Sequence, residues 1–413
     1  MKRSTIFLSL LLLIAVCSTA LMACGLSSDS SENALTFISN GDGTCYVTGG
    51  DEYNAKSIAI PERSPEGDLV TAIADNAFEL FYLLEDISIP QSVSYIGKNA
   101  FMCGKLKYNE HDNGYYLGNE ENPYLFFMKV KNTDITSCSI NDKTAYIYDS
   151  AFWGCDELTK LTIPNGIKGI GNLSFSVTSK IKTNDLGNAR YLGCSENPYL
   201  VLISTVNDDI VSCGISDKTR FIANGAFTDC KRLESITIPG NVEIIGDNAF
   251  RGCERLSDVT IENGVKVIGD DEFWDCHLLK SIYIPASVKT IGRSALNSPA
   301  LQAISVDNAN ANYSSIGGVL YNKEGKTLIQ YPRGSETQHV IIPEGVTTIG
   351  ESAFHCCYRI QSITIPTSVI KIEKSPIYTA QEFTIYYTGS IESWNKIDGV
   401  SNICEDAIIK YGS

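Results

Sequence analysis

The sequence of 413 residues contains little of what most enzymes and nucleic-acid-binding proteins require. It has only four histidines, and 48 acidic residues outnumber 33 basic ones, for a formal net charge of −15 at pH 7. Phosphate groups bind to positive surfaces, so this charge argues against nucleic acid as a partner. The histidines leave little material for metal or acid–base chemistry. The 14 cysteines are too few for a scaffold held together by disulfides.

Motifs of catalytic centres are absent as well. The sequence has no HExxH, no GxSxG, no phosphate-binding glycine loop, no CxxC and no Cys/His spacing typical of a zinc site. His111, His277, His339 and His355 have no partner at ligand spacing, and we expect solvated surface side chains at all four. We therefore predict a protein that is not an enzyme and that needs no metal and no cofactor.

Long apolar runs are also scarce, and the clearest one lies at the start of the sequence. Lys2 and Arg3 precede an almost unbroken apolar run from Ile6 to Val16. This run is too short for a stable transmembrane helix, which needs roughly 20 residues. The pattern predicts a secretory signal over residues 1–23, and no later stretch is long and apolar enough to span a bilayer.

The end of this segment, Leu21-Met22-Ala23-Cys24, resembles a bacterial lipobox, although Met22 is bulkier than the small residue usual at its position. The resemblance implies lipidation of Cys24, followed by a flexible polar tether over residues 24–34. Contact with the membrane is then expected only through this N-terminal lipid. The alternative is ordinary cleavage without a lipid.

Internal repetition is the strongest signal in the sequence. The pattern L-x-x-I-x-I-P-x-x-V-x-x-I-G-x-x-A-F-x-x-C begins at Leu233 and recurs, with substitutions, from Leu256 and again from Leu279. Within each of four groups, one aromatic or apolar landmark recurs at the same step. The groups are Phe78 and Phe101; Phe152 and Phe175; Phe227, Phe250, Phe273 and Leu296; and Phe354 and Ile377. A fixed period of this length indicates a repeat solenoid.

Each repeat, which we call a rung, is interpreted as two short strands and a corner. Pro239 ends the first strand because it has no N–H, and Gly246 permits a corner after the second. We expect Asp247 and Asn248 to cap a single helical turn. The inward side chains of one rung cannot offset the backbone entropy lost by its residues, so rungs must stack on one another.

A second, longer period lies on top of the first. Tyr116-Leu117-Gly118 and Asn122-Pro123-Tyr124-Leu125 recur, both at the same offset, as Tyr191-Leu192-Gly193 and Asn197-Pro198-Tyr199-Leu200. The Asn-Pro pairs favour turns and predict inserted hairpins. We expect insertions near residues 107–135, 182–210 and 307–338, the last with a hairpin turn at 322–326.

The segments SITIPGNVEIIGDNAFRGCERL (235–256) and IIPEGVTTIGESAFHCCYRIQSITIP (341–366) resemble BspA-type leucine-rich repeats of bacterial surface proteins. The resemblance implies a leucine-rich repeat solenoid over residues 61–382, with a parallel β-sheet, short second strands and single helical turns. It also implies an N-terminal capping hairpin over 35–60 and a C-terminal cap over 383–413. It says much less about function, because one fold supports many functions.

Most of the cysteines fall on fixed positions of the repeat. One set follows the landmark residue by three positions: Cys155, Cys230, Cys253, Cys276 and Cys357. Cys138 and Cys213 take an inward strand position. We interpret all seven as small buried apolar side chains. The alternative is disulfide bonds between stacked rungs, which lie ~4.8 Å apart.

Two sets of residues are candidates for binding a partner. The first comprises outward positions of the strands: Thr162, Thr237, Asp258, Thr260, Tyr283 and Thr364. The second comprises the tyrosines of the first two insertions: Tyr115, Tyr116, Tyr124, Tyr191 and Tyr199. Tyrosine offers a large contact area at low entropic cost. The alternatives are that threonine simply suits exposed strands, and that the tyrosines cover the flank of the solenoid.

These observations predict a non-catalytic, lipid-anchored protein of the bacterial cell surface that binds an extracellular protein or glycan, like an adhesin. A monomer is favoured. The first alternative is a structural lipoprotein that organises the envelope and has no host ligand. A solenoid enzyme acting on polysaccharide would need acidic or basic residues projecting from successive rungs. The outward rows are instead mostly serine and threonine.

Overall fold

The shorter sequence period becomes a repeat of short strands in the computed structural model. The structure describes residues 35–51, 53–172, 174–175, 180–378, 383–403 and 407–412. The predicted signal, Cys24 and the tether lie outside the described residues. The residues within these ranges form about 15 turns of parallel β-solenoid with very little helix. No helix of the described residues is long and apolar enough to cross a membrane.

The solenoid divides into two compact units. The first extends to Lys182 and includes Leu192–Pro198, and the second comprises Thr183–Tyr191 and the chain from Tyr199 onward. The strands before residue 183 are β1 (Leu35–Ser39), β2 (Thr44–Gly50), β3 (Ser57–Ala59), β4 (Leu69–Ile73), β5 (Asp86–Ser88), β6 (Tyr95–Ile96), β7 (Asn109–His111), β8 (Gly114–Leu117), β9 (Phe126–Val130), β10 (Ser137–Ser139), β11 (Tyr146–Ile147), β12 (Lys160–Thr162) and β13 (Gly169–Ile170).

The later strands follow the same alternation of longer and two-residue elements. They are β14 (Asn184–Leu186), β15 (Ala189–Leu192), β16 (Val201–Thr205), β17 (Phe221–Ile222), β18 (Ser235–Ile238), β19 (Ile244–Ile245), β20 (Asp258–Ile261), β21 (Val267–Ile268), β22 (Ser281–Ile284), β23 (Thr290–Ile291), β24 (Ala303–Val306), β25 (Tyr313–Ile316), β26 (Val319–Asn322), β27 (Thr327–Gln330), β28 (His339–Ile341), β29 (Thr348–Ile349), β30 (Phe354–His355), β31 (Ser362–Ile365), β32 (Lys371–Ile372), β33 (Ile377–Tyr378), β34 (Thr384–Tyr387) and β35 (Ile408–Tyr411). A helical turn α1 (Ile391–Trp394) and a 3₁₀ turn (Val400–Asn402) lie near the end.

The second strands, most of them two residues long, join the cap and insertion strands in sheets of four to seven strands. Their orders are β1-β2-β4-β6, β13-β11-β9-β8-β7, β14-β15-β16-β17-β19-β21-β23 and β25-β26-β27-β29-β32. The first strands form the pairs β3-β5, β10-β12, β18-β20 and β22-β24 and the four-stranded sheet β28-β31-β34-β35. The sheets of first strands are interrupted at the insertions. There, a glycine carbonyl of the insertion accepts the N–H group that would otherwise bond to the next first strand. Gly118, Gly193 and Gly318 accept the N–H groups of Ile89, Ile163 and Ile304 at 2.8, 3.2 and 2.9 Å.

Where the corner of a rung lies among the described residues, it is a left-handed backbone position and not a helix start. Asn248 has a φ of 57°. The equivalent residues of other rungs have nearly the same value: 56° for Asn76 and Asn99, and 57° for Ser352. Its N–H donates to Asp270 O of the next rung at 2.8 Å, so the corner belongs to a ladder between rungs. The expected single helical turn is therefore wrong: the segment is a series of hydrogen-bonded turns. Asparagine suits this position because its short polar side chain tolerates positive φ.

Gly246 is required because the preceding rung passes close to its backbone. A Cβ at this position would lie 2.6 Å from the backbone nitrogen of Asn224. Asp247, the next residue, accepts the N–H of Asp270 at 2.9 Å through its side chain, and Asp270 in turn accepts that of Arg293 at 2.7 Å. The corner therefore connects each rung to its neighbour through backbone and side chain together.

The core is a stack of landmark rings and small side chains. The Phe227 and Phe250 rings lie 4.9 Å apart, and Phe250 and Phe273 5.8 Å apart, with nearly parallel planes. The seven cysteines predicted as buried fillers are all buried. The described cysteines are free thiols, so the disulfide alternative fails for them. Cys253 and Cys276 donate their thiols to the carbonyls of Phe227 and Phe250, each at 3.2 Å.

Candidate binding surfaces

Three neighbouring first strands present a row of exposed polar side chains in the second unit. β18 pairs in parallel with β20, which places Thr237 beside Thr260, and β22 lies beside β20. Because side chains alternate along a strand, Thr237, Asp258, Thr260, Ser281 and Tyr283 point outward, and all five are exposed. We call these five residues the β18–β22 face. The structure thus brings four of the six predicted strand residues together.

Tyr283 is the large side chain of the β18–β22 face and is held in position. It is 49% exposed, and its hydroxyl donates to Asp307 Oδ2 at 2.7 Å. This hydrogen bond holds the pKa of the Asp307 carboxyl below its ordinary value and raises the pKa of the Tyr283 hydroxyl. A ring fixed at its outer end loses less conformational entropy when a partner binds it.

The other two predicted strand residues lie elsewhere. Thr162 is half-buried in β12 of the first unit, beside Ser139. Thr364 is half-buried in β31 of the second unit, between Ile341 and Tyr386 of the adjacent strands. Neither belongs to the β18–β22 face.

Ile341 and Tyr386, which are 73% and 42% exposed, were not among the predicted binding residues. Lys410 Nζ lies 5.3 Å from the centroid of the Tyr386 ring on the same outward side. Ile341 precedes the predicted Thr364 by one step of the shorter period, and that spacing could have revealed its orientation. Its apolar character concealed it, because apolar strand residues are usually buried.

The first two insertions are three-stranded antiparallel meanders on a shared buried frame. In the first, β7 pairs with β8 and β8 with β9; in the second, β14 pairs with β15, followed in the sheet by β16. The Tyr116 and Tyr124 rings meet edge to face at 5.3 Å, and Tyr191 and Tyr199 do so at 5.4 Å. The Asn-Pro turns thus connect the last two strands of a meander rather than the two strands of an isolated hairpin.

Tyr116 and Tyr191 cannot contact a partner because both are fully buried. The Tyr116 hydroxyl accepts the N–H of Asn141 at 3.2 Å, and that of Tyr191 accepts the N–H of Ser216 at 3.3 Å. Burial raises the pKa of both hydroxyls. Their prediction as binding residues is wrong: they satisfy backbone donors inside the insertions.

The three remaining insertion tyrosines are half-buried: Tyr115, Tyr124 and Tyr199. The Tyr115 ring lies 5.3 Å from that of Tyr108, and Lys129 Nζ is 5.0 Å from the Tyr108 centroid. We call Tyr108, Tyr115 and Lys129 the β8–β9 patch. Tyr108 and Lys129 were not among the predicted binding residues, and neither recurs at the equivalent position of the second insertion.

Glu272 and His355 are titratable side chains with shifted pKa values, and neither belongs to the β18–β22 face or to the β8–β9 patch. Glu272 takes a position that holds Ala249 one rung earlier, is fully buried and accepts the Ala249 N–H at 3.1 Å. Burial raises the pKa of its carboxyl well above the usual range. Three predicted surface histidines are exposed, but His355 is half-buried beside Asn297 at 3.1 Å. Burial and the nearby Arg333 lower its pKa. Among the described residues, no group of three or more His, Cys, Asp or Glu side chains could hold a metal ion.

Comparison with known proteins identifies similar sequences and folds. The sequence profile of the BspA type Leucine rich repeat region matches residues 52–119, 125–193, 206–323 and 333–403, in six copies. A leucine rich cell surface protein of Faecalibacterium prausnitzii is 21% identical, with 91% of this chain and 98% of that one covered and a TM-score of 0.37. A leucine-rich repeat protein of Bacteroides ovatus is 20% identical (94% and 100% covered, TM-score 0.30). The pneumococcal vaccine antigen PcpA is 14% identical (93% and 98% covered, TM-score 0.30). No curated protein matches the sequence.

Proposed function

The chain belongs to the BspA-type leucine-rich repeat family, and on that basis we propose that it is a non-catalytic bacterial cell-surface protein that binds an extracellular protein or glycan. The observation that carries the proposal is the β18–β22 face. Parallel stacking of rungs sets outward side chains at regular spacing, which produces the extended surfaces that repeat proteins use for binding.

The chemistry of the face supports binding rather than catalysis. Thr237 and Thr260 offer hydroxyl donors and acceptors, Asp258 offers a carboxylate, and Tyr283 adds an aromatic ring fixed by Asp307. The buried acid with the most perturbed environment, Glu272, is enclosed in the core and cannot reach a substrate. A partner that presents hydroxyls or amides beside a flat apolar group would match this surface.

Attachment to the membrane through a lipid on Cys24 is the second part of the proposal. It rests on the lipobox resemblance of Leu21 to Cys24. Replacing Cys24 with serine should shift the protein from the membrane fraction to the soluble fraction of cells. A Cys24→Ser protein that still sediments with membranes would contradict the lipid anchor.

The partner is sought with the purified protein on arrays of extracellular matrix proteins and of glycans. We expect a reproducible ligand whose affinity falls by about tenfold or more in Tyr283→Ala, the cost of removing a central aromatic contact. Tyr82→Ala, which removes an exposed tyrosine of the first unit, is the matched control and should bind normally.

Two outcomes would count against this assignment. Equal affinity of Tyr283→Ala and the unmodified protein would exclude the β18–β22 face as the contact surface. Absence of any extracellular ligand, together with retention by components of the protein's own envelope, would favour the structural lipoprotein.

A further inference from the structure

An open groove lies at one corner of the second unit, away from the strands of the β18–β22 face. Its volume is about 460 Å³, and it is lined by Glu336, Gln338, Tyr358, Arg359 and Gln361. We call these five residues the Tyr358 groove. Gln338 and Gln361 directly precede β28 and β31, and the N–H of Gln361 donates to Gln338 O at 2.8 Å. Regular backbone contacts between rungs therefore fix the spacing of the two amides.

Tyr358 forms a fixed aromatic wall. Its side chain is 41% exposed, yet its hydroxyl donates to Cys356 Sγ at 3.1 Å. The Arg333 guanidinium carbon lies 5.8 Å from the Tyr358 ring centroid and 5.5 Å from that of Trp274. Cation–π contact with Arg333 and the thiol contact restrain the ring before any ligand arrives.

The other four lining residues carry planar polar groups in solvent. Two are carboxamides, one is a carboxylate and one is a guanidinium, and each presents paired atoms for hydrogen bonding. Arg359 and Glu336 approach no closer than 3.9 Å, and both side chains are more than half exposed. Such an ion pair contributes little to stability, so both groups remain available to a ligand.

We propose that the Tyr358 groove binds a glycan, holding roughly one or two sugar units in a pocket of ordinary ligand size. The apolar C–H face of a sugar ring packs on Tyr358, and its hydroxyls exchange hydrogen bonds with Gln338, Gln361 and the Glu336–Arg359 pair. A peptide is disfavoured because the lining offers no aliphatic side chain for apolar anchors. The inference is independent of the β18–β22 face.

The corresponding corner of an earlier pair of rungs provides an internal comparison. The residue four positions after the landmark is Tyr358 in the groove, but it is Lys231 and Glu254 in the two earlier rungs. Arg255 occupies the position that Arg359 has in the groove. There Lys231 binds Glu254 at 2.8 Å and Arg255 binds Glu234 at 3.2 Å. The same backbone thus carries two exposed ion pairs in one place and an aromatic ring with solvent-exposed amides in the other.

The test measures binding of cellulose-, xylan-, galactan- and N-acetyllactosamine-derived oligosaccharides to the purified protein by titration calorimetry. We expect at least one of these sugars to bind. Its affinity should fall by about tenfold or more in Tyr358→Ala, and measurably in Gln338→Ala and Gln361→Ala. The two glutamine variants alter exposed side chains only, so they remain informative if Tyr358→Ala folds poorly.

Arg255→Ala and Arg359→Ala are matched, because both remove the arginine of an exposed ion pair at the same position of the rung. Arg359→Ala should weaken sugar binding and Arg255→Ala should not. Failure of every oligosaccharide to bind, or equal binding by Tyr358→Ala, Gln338→Ala and Gln361→Ala, would overturn the inference. Loss of sugar binding in Tyr283→Ala alone would do so as well, while supporting the β18–β22 face.

Discussion

The meanders of β7–β9 and β14–β16 have the same interior and different exteriors. Inside, Tyr116 and Tyr191 occupy equivalent buried positions and accept equivalent backbone N–H groups. Outside, residues of the β8–β9 patch are replaced, at the same offset in sequence, by small or charged side chains: Thr183 for Tyr108, Arg190 for Tyr115 and Ser204 for Lys129. The comparison indicates that the buried residues of the meander determine its structure, and that its exposed residues can change without changing that structure.

The largest effect is expected from removing the buried ring. Tyr116→Ala and Tyr191→Ala should each lower the free energy of unfolding by about 3–5 kcal/mol, as for other large aromatic truncations in a core. Urea denaturation followed by intrinsic fluorescence measures both. The control Tyr82→Ala, at a side chain 63% exposed, should cost less than about 0.5 kcal/mol. Markedly unequal losses in the two insertions would break the equivalence of their interiors.

A smaller effect is expected at the glycine two residues after each buried tyrosine. A Cβ on Gly118 would collide with the Asn122 carbonyl oxygen, and one on Gly193 with that of Asn197. Gly118→Ala and Gly193→Ala should therefore each cost about 1–3 kcal/mol in the same denaturation experiment.

Gly104→Ala and Gly214→Ala are the controls, because a Cβ at either position meets no atom within 4 Å. They should leave the unfolding curve nearly unchanged. If Gly118→Ala left the free energy of unfolding unchanged, the turn would have to shift easily, and the two insertions would not share a rigid interior.

The two buried hydroxyls should also make stability depend on alkaline pH. Burial raises the pKa of Tyr116 and Tyr191 in the folded protein, so their neutral forms are favoured there. Stability is fully present below the pKa of an unfolded tyrosine, about 10, and falls as the pH rises above it. Tyr116→Phe and Tyr191→Phe should be less stable at neutral pH, by about 1–3 kcal/mol for the unpaired N–H. Both should lose less stability than the unmodified protein as the pH is raised, and parallel profiles would refute the assignment.

The smallest effect sharpens the contrast between the exteriors. Lys129→Ala should cost about 0.5–1 kcal/mol, because Lys129 Nζ lies over the Tyr108 ring at 5.0 Å. Ser204→Ala, at the equivalent position of the other insertion, should stay within about 0.5 kcal/mol of the unmodified protein. Unfolding curves at low and high salt would separate the charge contribution, and equal costs would mean that the β8–β9 patch has no interaction of its own.

The sequence was sufficient for the period, the inward side chains and the positions of the cysteines, because burial repeats with the backbone. The sequence was insufficient to predict the backbone conformation where one residue type suits two conformations. Asn248 suits both a helix cap and a left-handed corner, and only the contact with the next rung decides between them.

The candidate sites show the same limit. Tyr115 and Tyr116 are adjacent and identical, yet one faces solvent in part and the other the core. Successive side chains of β8 point to opposite faces, and only the pairing of β8 with β7 and β9 decides which of the two tyrosines faces the core. The Tyr358 groove depends on residues from two rungs whose individual types are unremarkable.

The glycine corner has a consequence for how such a protein can be rearranged. Gly246 is needed because of Asn224 in the rung before it, and Gly269 because of Asp247. The requirement at each corner is therefore inherited from the previous repeat. A rung moved alone into another position would pack on a different preceding rung. The smallest unit that can be moved is therefore a rung together with the corner of the rung before it. Lengthening or shortening the chain by gene duplication would then work best when the cut falls within a first strand such as β18, β20 or β22, which contain no glycine.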